Sequence, residues 1–495
     1  MRIALVVTYG KLSSSEGSRI ISALLKNAGH CVKSVFLTRV LPIRYEQQEI
    51  EQLHDILSNV DLVMVATYSA YVYRAIQVTQ FVHQTYPGMK VIWGGPHCIA
   101  APDLTLRHAD GVCFAEGDEV IVDLVNKIES NSDYTDTPNM AFNENGTHVV
   151  NNVLPPFSDL DSLPYPDHNL NDHFLLDREL FQMTKKTYYE NSRKDEFGRP
   201  RYYIMTSRGC PHKCSYCNNC LYLAMHGRNP MRYRSVDNFV GELENHLGRF
   251  DAFGRVIFGD DDFFIRPTDQ IEDFAEKYRK RIGLPFMVTV SANTYKKEKM
   301  EALLDAGMIG IEMGIQSGSQ RVLDEVFHRK VKVSKTKELL PQFELYQKTH
   351  ELRCFLDFII DNPYETRDDI IQTYQYLIST SLRASIRTFR LAFFPGTPLY
   401  DRAAKDGFID PSSIDSLSDE RPRSVFGESR GQVRYQQNYE TFLVLLARFL
   451  HSRNLLRKIP RSVLQMLGSR LVTGVASIFP ASFYGYLIER TPSLS

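Results

Sequence analysis

The sequence predicts an α/β chain: an N-terminal doubly wound, flavodoxin-like parallel sheet, then a partial (β/α)6 TIM-type barrel, then a helical C-terminal region. Three observations predict it. Two series of short apolar runs alternate with segments of helical periodicity, over residues 1–130 and again over 201–400. The runs carry few polar interruptions, as strands do when both faces of a parallel sheet are covered. A polar, proline-bearing stretch at 131–200 separates the series and reads as a linker, and the pattern over 401–495 turns helical.

In the first series, strands are expected at Ile3–Tyr9, Val32–Leu37, Val60–Tyr68, Val91–Gly95 and Gly111–Ala115. Ile20, Ile21, Leu24, Leu25 and Ala28 trace one helical face, and Gly29 sits where a C′ glycine ends that helix. Such a sheet binds ligands beyond its C-terminal strand ends. The second series places strands at Tyr202–Thr206, Val256–Gly259, Phe286–Ser291, Ile309–Ile315, Arg353–Ile360 and Ile386–Phe393, with helices such as Asp269–Arg281 and Thr366–Ser379 between them. A barrel of this kind carries its chemistry at the C-terminal strand ends. Residues 411–435 read as a loop and 438–490 as helices with a basic stretch around Arg453–Arg461. Those helices either cap the barrel, the more ordinary arrangement, or make peripheral contact with a membrane surface.

Bulk composition narrows the function. Lys and Arg total 58 against 59 for Asp and Glu, a formal net charge of −1, which gives no global attraction for nucleic acid. The N-terminus lacks the long apolar region and cleavage site of a signal peptide. No run approaches the ~18 apolar residues that cross a membrane, and the nearest, 471–488, is interrupted by Pro480. Eight cysteines in 495 residues are too few for a disulfide framework. Four of them, Cys210, Cys214, Cys217 and Cys220, cluster, which predicts metal binding in a reducing cytoplasm. Cys31, Cys98, Cys113 and Cys354 are scattered and read as small buried hydrophobes. Cys354 doubles as a catalytic candidate if it faces the barrel interior.

The cysteine motif carries the chemistry. Arg208-Gly-Cys-Pro-His-Lys-Cys-Ser-Tyr-Cys217 follows the first strand of the second series, so its cysteines sit in a loop at a strand's C-terminal end. An ordinary 4Fe–4S cluster takes four thiolates. Three thiolates spaced C-x3-C-x2-C leave one iron open to chelate a small molecule through an amine and a carboxylate. The rival reading is a zinc knuckle completed by His212 and Cys220, but no second ligand pair follows at zinc-ribbon spacing.

The motif is similar to that of the radical S-adenosylmethionine (SAM) superfamily. The resemblance implies that Cys210, Cys214 and Cys217 hold a 4Fe–4S cluster and that Tyr216 lies near the SAM adenine. It places Asp260 and Asp261 of Gly259-Asp-Asp-Asp262 by SAM's ammonium group, against the alternative of an acidic loop or divalent-metal site. Gly314-Ile-Gln-Ser-Gly-Ser319 looks like the family's "GIESGS" patch near the SAM ribose and methionine. There Gln316 replaces the usual Glu, and Ser317 serves either SAM or a helix N-cap. Asp361–Thr366 and Phe394–Tyr400 resemble the family's later strand-end turns. Cys220 reads as a bystander.

A doubly wound domain before such a barrel resembles the cobalamin-binding subfamily. The matching residues are Gly94, Gly95 and His97 after the fourth strand and Glu116 and Gly117 after the fifth. No D-x-H-x-x-G motif supplies a lower cobalt ligand; His97 is a candidate, with hydrogen bonding inside its loop as the competing reading. The resemblance implies reductive cleavage of SAM to a 5′-deoxyadenosyl radical and cobalamin-dependent methylation of an unactivated carbon. Radical cyclisation or rearrangement without methyl transfer is the alternative within this architecture, and a non-catalytic cobalamin or redox sensor the alternative outside it. The expected partners are a small-molecule substrate and an electron donor such as flavodoxin or ferredoxin, with no nucleic acid.

Overall fold

The computed structural model describes residues 1–410 and 438–476, apart from short gaps at 10–11, 13–14, 40–43, 145, 228–229, 381, 454, 470–471 and 474–475. The expected loop at 411–435 and the apolar stretch beyond 476 lie outside the described residues.

The first sheet is built on β1 (Arg2–Val7), β2 (Cys31–Leu37), β3 (Leu62–Ala66), β4 (Lys90–Gly94) and β5 (Gly111–Cys113). These five are parallel in the order β5-β4-β3-β1-β2, the flavodoxin-like order whose ligand crevice lies where the strand order reverses, between β1 and β3. Alternation along β1 shows why the runs are apolar throughout. Ala4 and Val6 enter the core on one face, while Ile3, Leu5 and Val7 enter the core on the other. Gly29 takes a left-handed φ of 92° and ends the helix Glu16–Asn27, as its position in the sequence predicts.

The stretch at 131–200 is more than a linker. Its strands β6 (Met140–Glu144), β7 (Thr147–Val150), β8 (His173–Leu176) and β9 (Leu180–Gln182) extend the sheet at both edges to nine strands. β5–β6, β6–β7 and β8–β9 pair antiparallel, whereas β8 is parallel to β2. The edge strands β7 and β9 face water, so their sequence is polar, whereas β6 and β8 are mostly buried but too short, between polar and Pro-bearing loops, for a strand pattern to stand out. The Pro-rich segment does drape, across the seam between the two sheets.

The second sheet has β10 (Arg201–Ile204) at its edge. A two-stranded ribbon of β11 (Ser207–Arg208) and β12 (Arg232–Tyr233) follows, flanking the cysteine loop. The sheet continues through β13 (Arg255–Phe258), β14 (Phe286–Thr289), β15 (Met308–Gln316), β16 (Arg353–Ile360) and β17 (Ala384–Arg390). All neighbours are parallel in the order β10-β13-β14-β15-β16-β17, an open six-stranded partial barrel. The C-terminal helix Tyr439–Ser452 packs on the helix Arg367–Ser379 and on β17. Tyr374 Oη donates to Leu464 O at 2.8 Å, and Arg448 Nη1 donates to Thr388 Oγ1 at 3.0 Å. The described part of this region therefore caps the barrel. No helix among the described residues is long and apolar enough to cross a membrane.

Candidate active site

The C-terminal ends of the two sheets face one another across a cavity of about 430 Å³. Leu5, Ile21, Met64, Ile92 and Ile121 line its deep end on the first sheet, at the β1/β3 crevice, and Gly94, Gly95 and Gly117 its rim. Met205, Arg208, Gly209, Asn219 and Asp261 close it from the barrel side, and Leu160, Leu163, Pro164 and Pro166 wall the seam. Protein interiors are close-packed, so an apolar slot of this size ending in a glycine rim is shaped for a large flat group. Gly95 has a φ of +100°, and a Cβ there would meet Thr67 O at 2.8 Å. Only glycine turns the chain so tightly against β3.

The polar side chains expected on this rim are turned to other work. His97 is 2% exposed, its Nδ1 lies 3.0 Å from Ser69 Oγ, and it does not line the cavity. Burial, aided by His108, lowers its pKa to about 4. The candidate cobalt ligand is thus a buried neutral imidazole withdrawn from the site. Glu116 lines the cavity but binds across the seam: its Oε2 accepts from Arg232 Nη1 at 2.7 Å and from Phe157 N at 2.8 Å. Beside it, Asp118 takes both terminal nitrogens of Arg208 at 2.7 and 3.0 Å. Arg208 and Arg232 are direct cross-strand partners on the β11–β12 ribbon. Like charges so placed repel, and the two carboxylates of the first sheet compensate them. Arg208 stands two residues before Cys210, so this double ion pair ties the rim of the first sheet to the cysteine loop. The sequence gives no sign of Arg232's part, because its partner lies more than a hundred residues away.

The cysteine loop is held from below. Cys214 is buried, and Cys210 and Cys217 are half-buried. Ser215 N donates to Phe327 O at 2.9 Å, Ser215 Oγ to Val326 O at 2.6 Å, and Leu399 N to Ser215 O at 3.0 Å. The Tyr216 ring packs edge-on against Phe327, with centroids 4.9 Å apart. Burial pushes the Cys210 thiol up to about 12 and the Cys217 thiol up to about 11, with the neighbouring cysteines adding to it. Thiols in that state become good ligands when a metal supplies the positive charge. Cys220 packs with Ala100 and Leu221 in a small apolar cluster, as a bystander does. Three thiolates on one braced loop, with the fourth cysteine set in apolar packing, fit a cluster with one open iron.

The acidic run splits by direction. Asp260 is 1% exposed and accepts from Thr206 N, Thr206 Oγ1 and Ser207 Oγ. It anchors the start of the cysteine loop to β13 and does not face the cavity, which corrects its expected place at SAM. Asp261 does line the cavity, held by Asn219 Nδ2 at 2.9 Å. Asp262 caps the turn Phe263–Ile265 through Phe264 N at 3.1 Å. Burial raises all three carboxyls above their ordinary range.

At the end of β15, Gln316 adopts a left-handed φ of 69° beside a register shift between Gly314 and Gln316. A non-glycine residue held there is the kind of backbone strain that functional sites retain. Ser317 is fully buried, 3.3 Å from both Glu365 Oε1 and Thr373 Oγ1, and accepts from Ser319 N at 3.1 Å. Its hydroxyl serves the turn, not a ligand. Gly318 is glycine because a Cβ would meet Thr373 Cα at 2.5 Å. Cys354 joins the core beneath the outer helices, with Leu339 and Phe343, and Gln347 reaches its sulfur. It faces away from the barrel interior, which removes it as a catalytic candidate. The opposite face of β16 presents Phe355 and Asp357.

Comparison with known proteins agrees with this arrangement. Residues 204–377 match the Radical SAM superfamily and residues 2–125 the B12 binding domain. An uncharacterized methyltransferase of Pyrococcus horikoshii is 24% identical over 357 residues, 70% of this chain and 70% of its own length. The cobalamin-dependent radical SAM methyltransferase TokK of Streptomyces tokunonensis is 21% identical over 71% of this chain, but the match covers 49% of TokK. Among solved structures, the radical SAM methyltransferase TsrM of Kitasatospora setae, with cobalamin and a 4Fe–4S cluster bound, superposes with a TM-score of 0.64. That match covers 82% of this chain and 78% of TsrM at 15% identity, so it establishes the fold. The chain therefore joins a B12-binding domain, over residues 2–125, to a radical SAM domain, over residues 204–377, and is an enzyme of the 4Fe–4S cluster, S-adenosylmethionine and cobalamin.

Proposed function

We propose that the protein methylates an unactivated carbon of a small metabolite. The observation that carries this reading is the shared cavity, in which the rim of the first sheet and Arg208 and Gly209, which lead into the cysteine loop of the second, line one space. When bound, the cluster and SAM supply hydrogen abstraction and cobalamin supplies the methyl group. In this reading Cys210, Cys214 and Cys217 hold the cluster. Asp261 accepts SAM's ammonium group, with Tyr216 and the strained Gln316 turn at its flanks. The backbone of Gly94, Gly95 and Gly117 approaches the macrocycle, and the apolar slot at Leu5, Met64 and Ile92 takes its tail. The Pro-rich seam keeps water out.

The substrate would enter the concave face of the barrel. There Arg387 on β17 is held by Asp357, its register partner on β16, through two 2.6 Å bonds and by Glu312 on β15 through another. Phe389 is 50% exposed on the same strand as Arg387. An open sheet face that combines an ion triad with a bare aromatic ring suits a small molecule with both polar and apolar parts. Electrons would come from a flavodoxin- or ferredoxin-type donor in a reducing cytoplasm.

The test is anaerobic reconstitution with cobalamin, methyl-labelled SAM and dithionite, with a small-molecule extract offered as substrate. Release of 5′-deoxyadenosine with label appearing in a product is the expected result. Release without label transfer favours cyclisation or rearrangement. No release, with cluster and SAM bound, favours a sensor, and full label transfer without cobalamin overturns the reading.

A further inference from the structure

We propose that Arg329 is a positioning residue that raises the reduction potential of the cluster by holding a permanent positive charge against the Cys214 sulfur. The inference rests on the reading of Cys210, Cys214 and Cys217 as cluster ligands.

The segment after β15 is shaped to deliver this side chain. It passes the Gln316 turn, forms a single π-helical stretch, Val322–Val326, and reverses at His328, whose φ is 48°. Arg329 N donates to Leu323 O at 2.7 Å. The same stretch provides Val326 O and Phe327 O, which grip Ser215. The element that fixes the cysteine loop therefore also fixes the guanidinium beside it. Single π-helical turns recur where a chain must aim a side chain at a site.

The guanidinium makes two hydrogen bonds, lies beside the Tyr216 side chain and keeps one nitrogen unsatisfied. Nη1 donates to Cys214 Sγ at 3.7 Å, Nη2 donates to Gly314 O at 3.0 Å, and Nε is buried with no hydrogen-bond partner among the described residues. Room for it depends on glycine, since a Cβ at Gly314 would stand 3.3 Å from Nη2. Among the described residues Arg329 forms no ion pair with a carboxylate, unlike Arg208, Arg321 and Arg387. A half-buried cation without a carboxylate is costly unless another negative charge meets it. The thiolate-ligated cluster is that charge.

The consequence is electrostatic. Arginine does not deprotonate in a protein, so its charge is present in both oxidation states. Reduction adds a negative charge to the cluster, and a fixed cation together with a hydrogen bond to a ligand sulfur favours the reduced form.

The experiment is a redox titration of the reconstituted full-length protein without SAM, followed by the spin-resonance signal of the reduced cluster, alongside iron content. Wild type must first show a cube with one non-thiolate iron; if it does not, the cluster reading itself fails and Arg329 is not at issue. Arg329→Gln should retain iron and shift the reduction equilibrium about tenfold toward the oxidised form, about 59 mV lower for one electron. Arg329→Lys should keep most of the wild-type potential, because it keeps the charge and loses only the fork. An unchanged potential in Arg329→Gln, or equal shifts in both variants, overturns the proposal. If Arg329→Gln fails to hold iron, the Lys variant decides: iron retained near the wild-type potential supports the charge role, and lost iron or a tenfold shift overturns it.

Discussion

The two rims that meet across the cavity use opposite physics. On the first sheet, His97 is withdrawn and Glu16, Glu116 and Asp118 bind across the seam, so the lining is mainly glycine backbone, the apolar ends of β1, β3 and β4 and the rings of Tyr9 and Tyr68. On the barrel, polar and charged groups turn inward: Asp261, Asn219 and Arg208, at the foot of the loop that carries the three cysteines. The first rim can recognise a ligand by shape and burial, which is non-directional. The second recognises by ligation and charge, which depend on single atoms. Substitutions should therefore be all-or-none on the barrel side and graded on the other.

The sharpest version of that contrast lies inside the cysteine loop. Replacing Cys210, Cys214 or Cys217 by Ala should abolish cluster assembly and SAM cleavage, read as iron and sulfide content and as 5′-deoxyadenosine. Cys220→Ala should leave both close to wild type, because its sulfur sits with Ala100 and Leu221. Loss of iron in Cys220→Ala would mean that the fourth sulfur reaches the cube and no iron is open.

The next effect tests the bond between the rims. Arg208 and Asp118 are paired bidentately with side chains 24% and 9% exposed. Asp118→Asn leaves a largely buried guanidinium with only the longer, 3.8 Å pair to Glu116, a loss of about 2 kcal/mol. The urea midpoint should fall, and the two sheets should begin to unfold in separate steps. Asp118→Asn combined with Arg208→Gln should recover part of the loss, since no unpaired charge remains. An unchanged, single transition in Asp118→Asn would show that the rims are not coupled through this pair.

How much of this was legible in the sequence follows from what each feature depends on. β16 matches its expected span because, after the exposed Arg353, every residue of its run is buried or half-buried on both faces, so the apolar signal is nearly continuous. β7 and β9 were hidden because edge strands are solvated, and β6 and β8 because their buried runs are only five and four residues long. The cysteine motif was legible because ligation requires fixed spacing in one loop. The acidic run was not resolvable, because three identical side chains differ only in the direction the turn gives them: Asp260 down to Thr206, Asp261 into the cavity, Asp262 onto its own turn. Cys354 was ambiguous for the same reason, since a strand residue's face depends on register. Arg232 and Arg329 had no local signal; their partners are distant in the chain and meet them only through the fold.

The smallest effect at neutral pH belongs to the first rim and decides whether its histidine is a ligand. His97 is buried and neutral, with a folded pKa of about 4 against 6.5 for the ordinary side chain. Between those values the unfolded chain takes up a proton that the folded protein refuses. Stability is therefore complete above about pH 6.5 and is lost as the pH falls toward 4. His97→Asn keeps an acceptor for Ser69 and cannot charge. It should match wild type in stability and cobalamin content at pH 7, and should show a shallower loss of stability between pH 6.5 and 4 by urea titration. Loss of cobalamin from His97→Asn at pH 7, with the urea midpoint unchanged, would return the imidazole to the cobalt. The first rim would then bind by a directed atom as the second does, and the contrast between shape and ligation would fail.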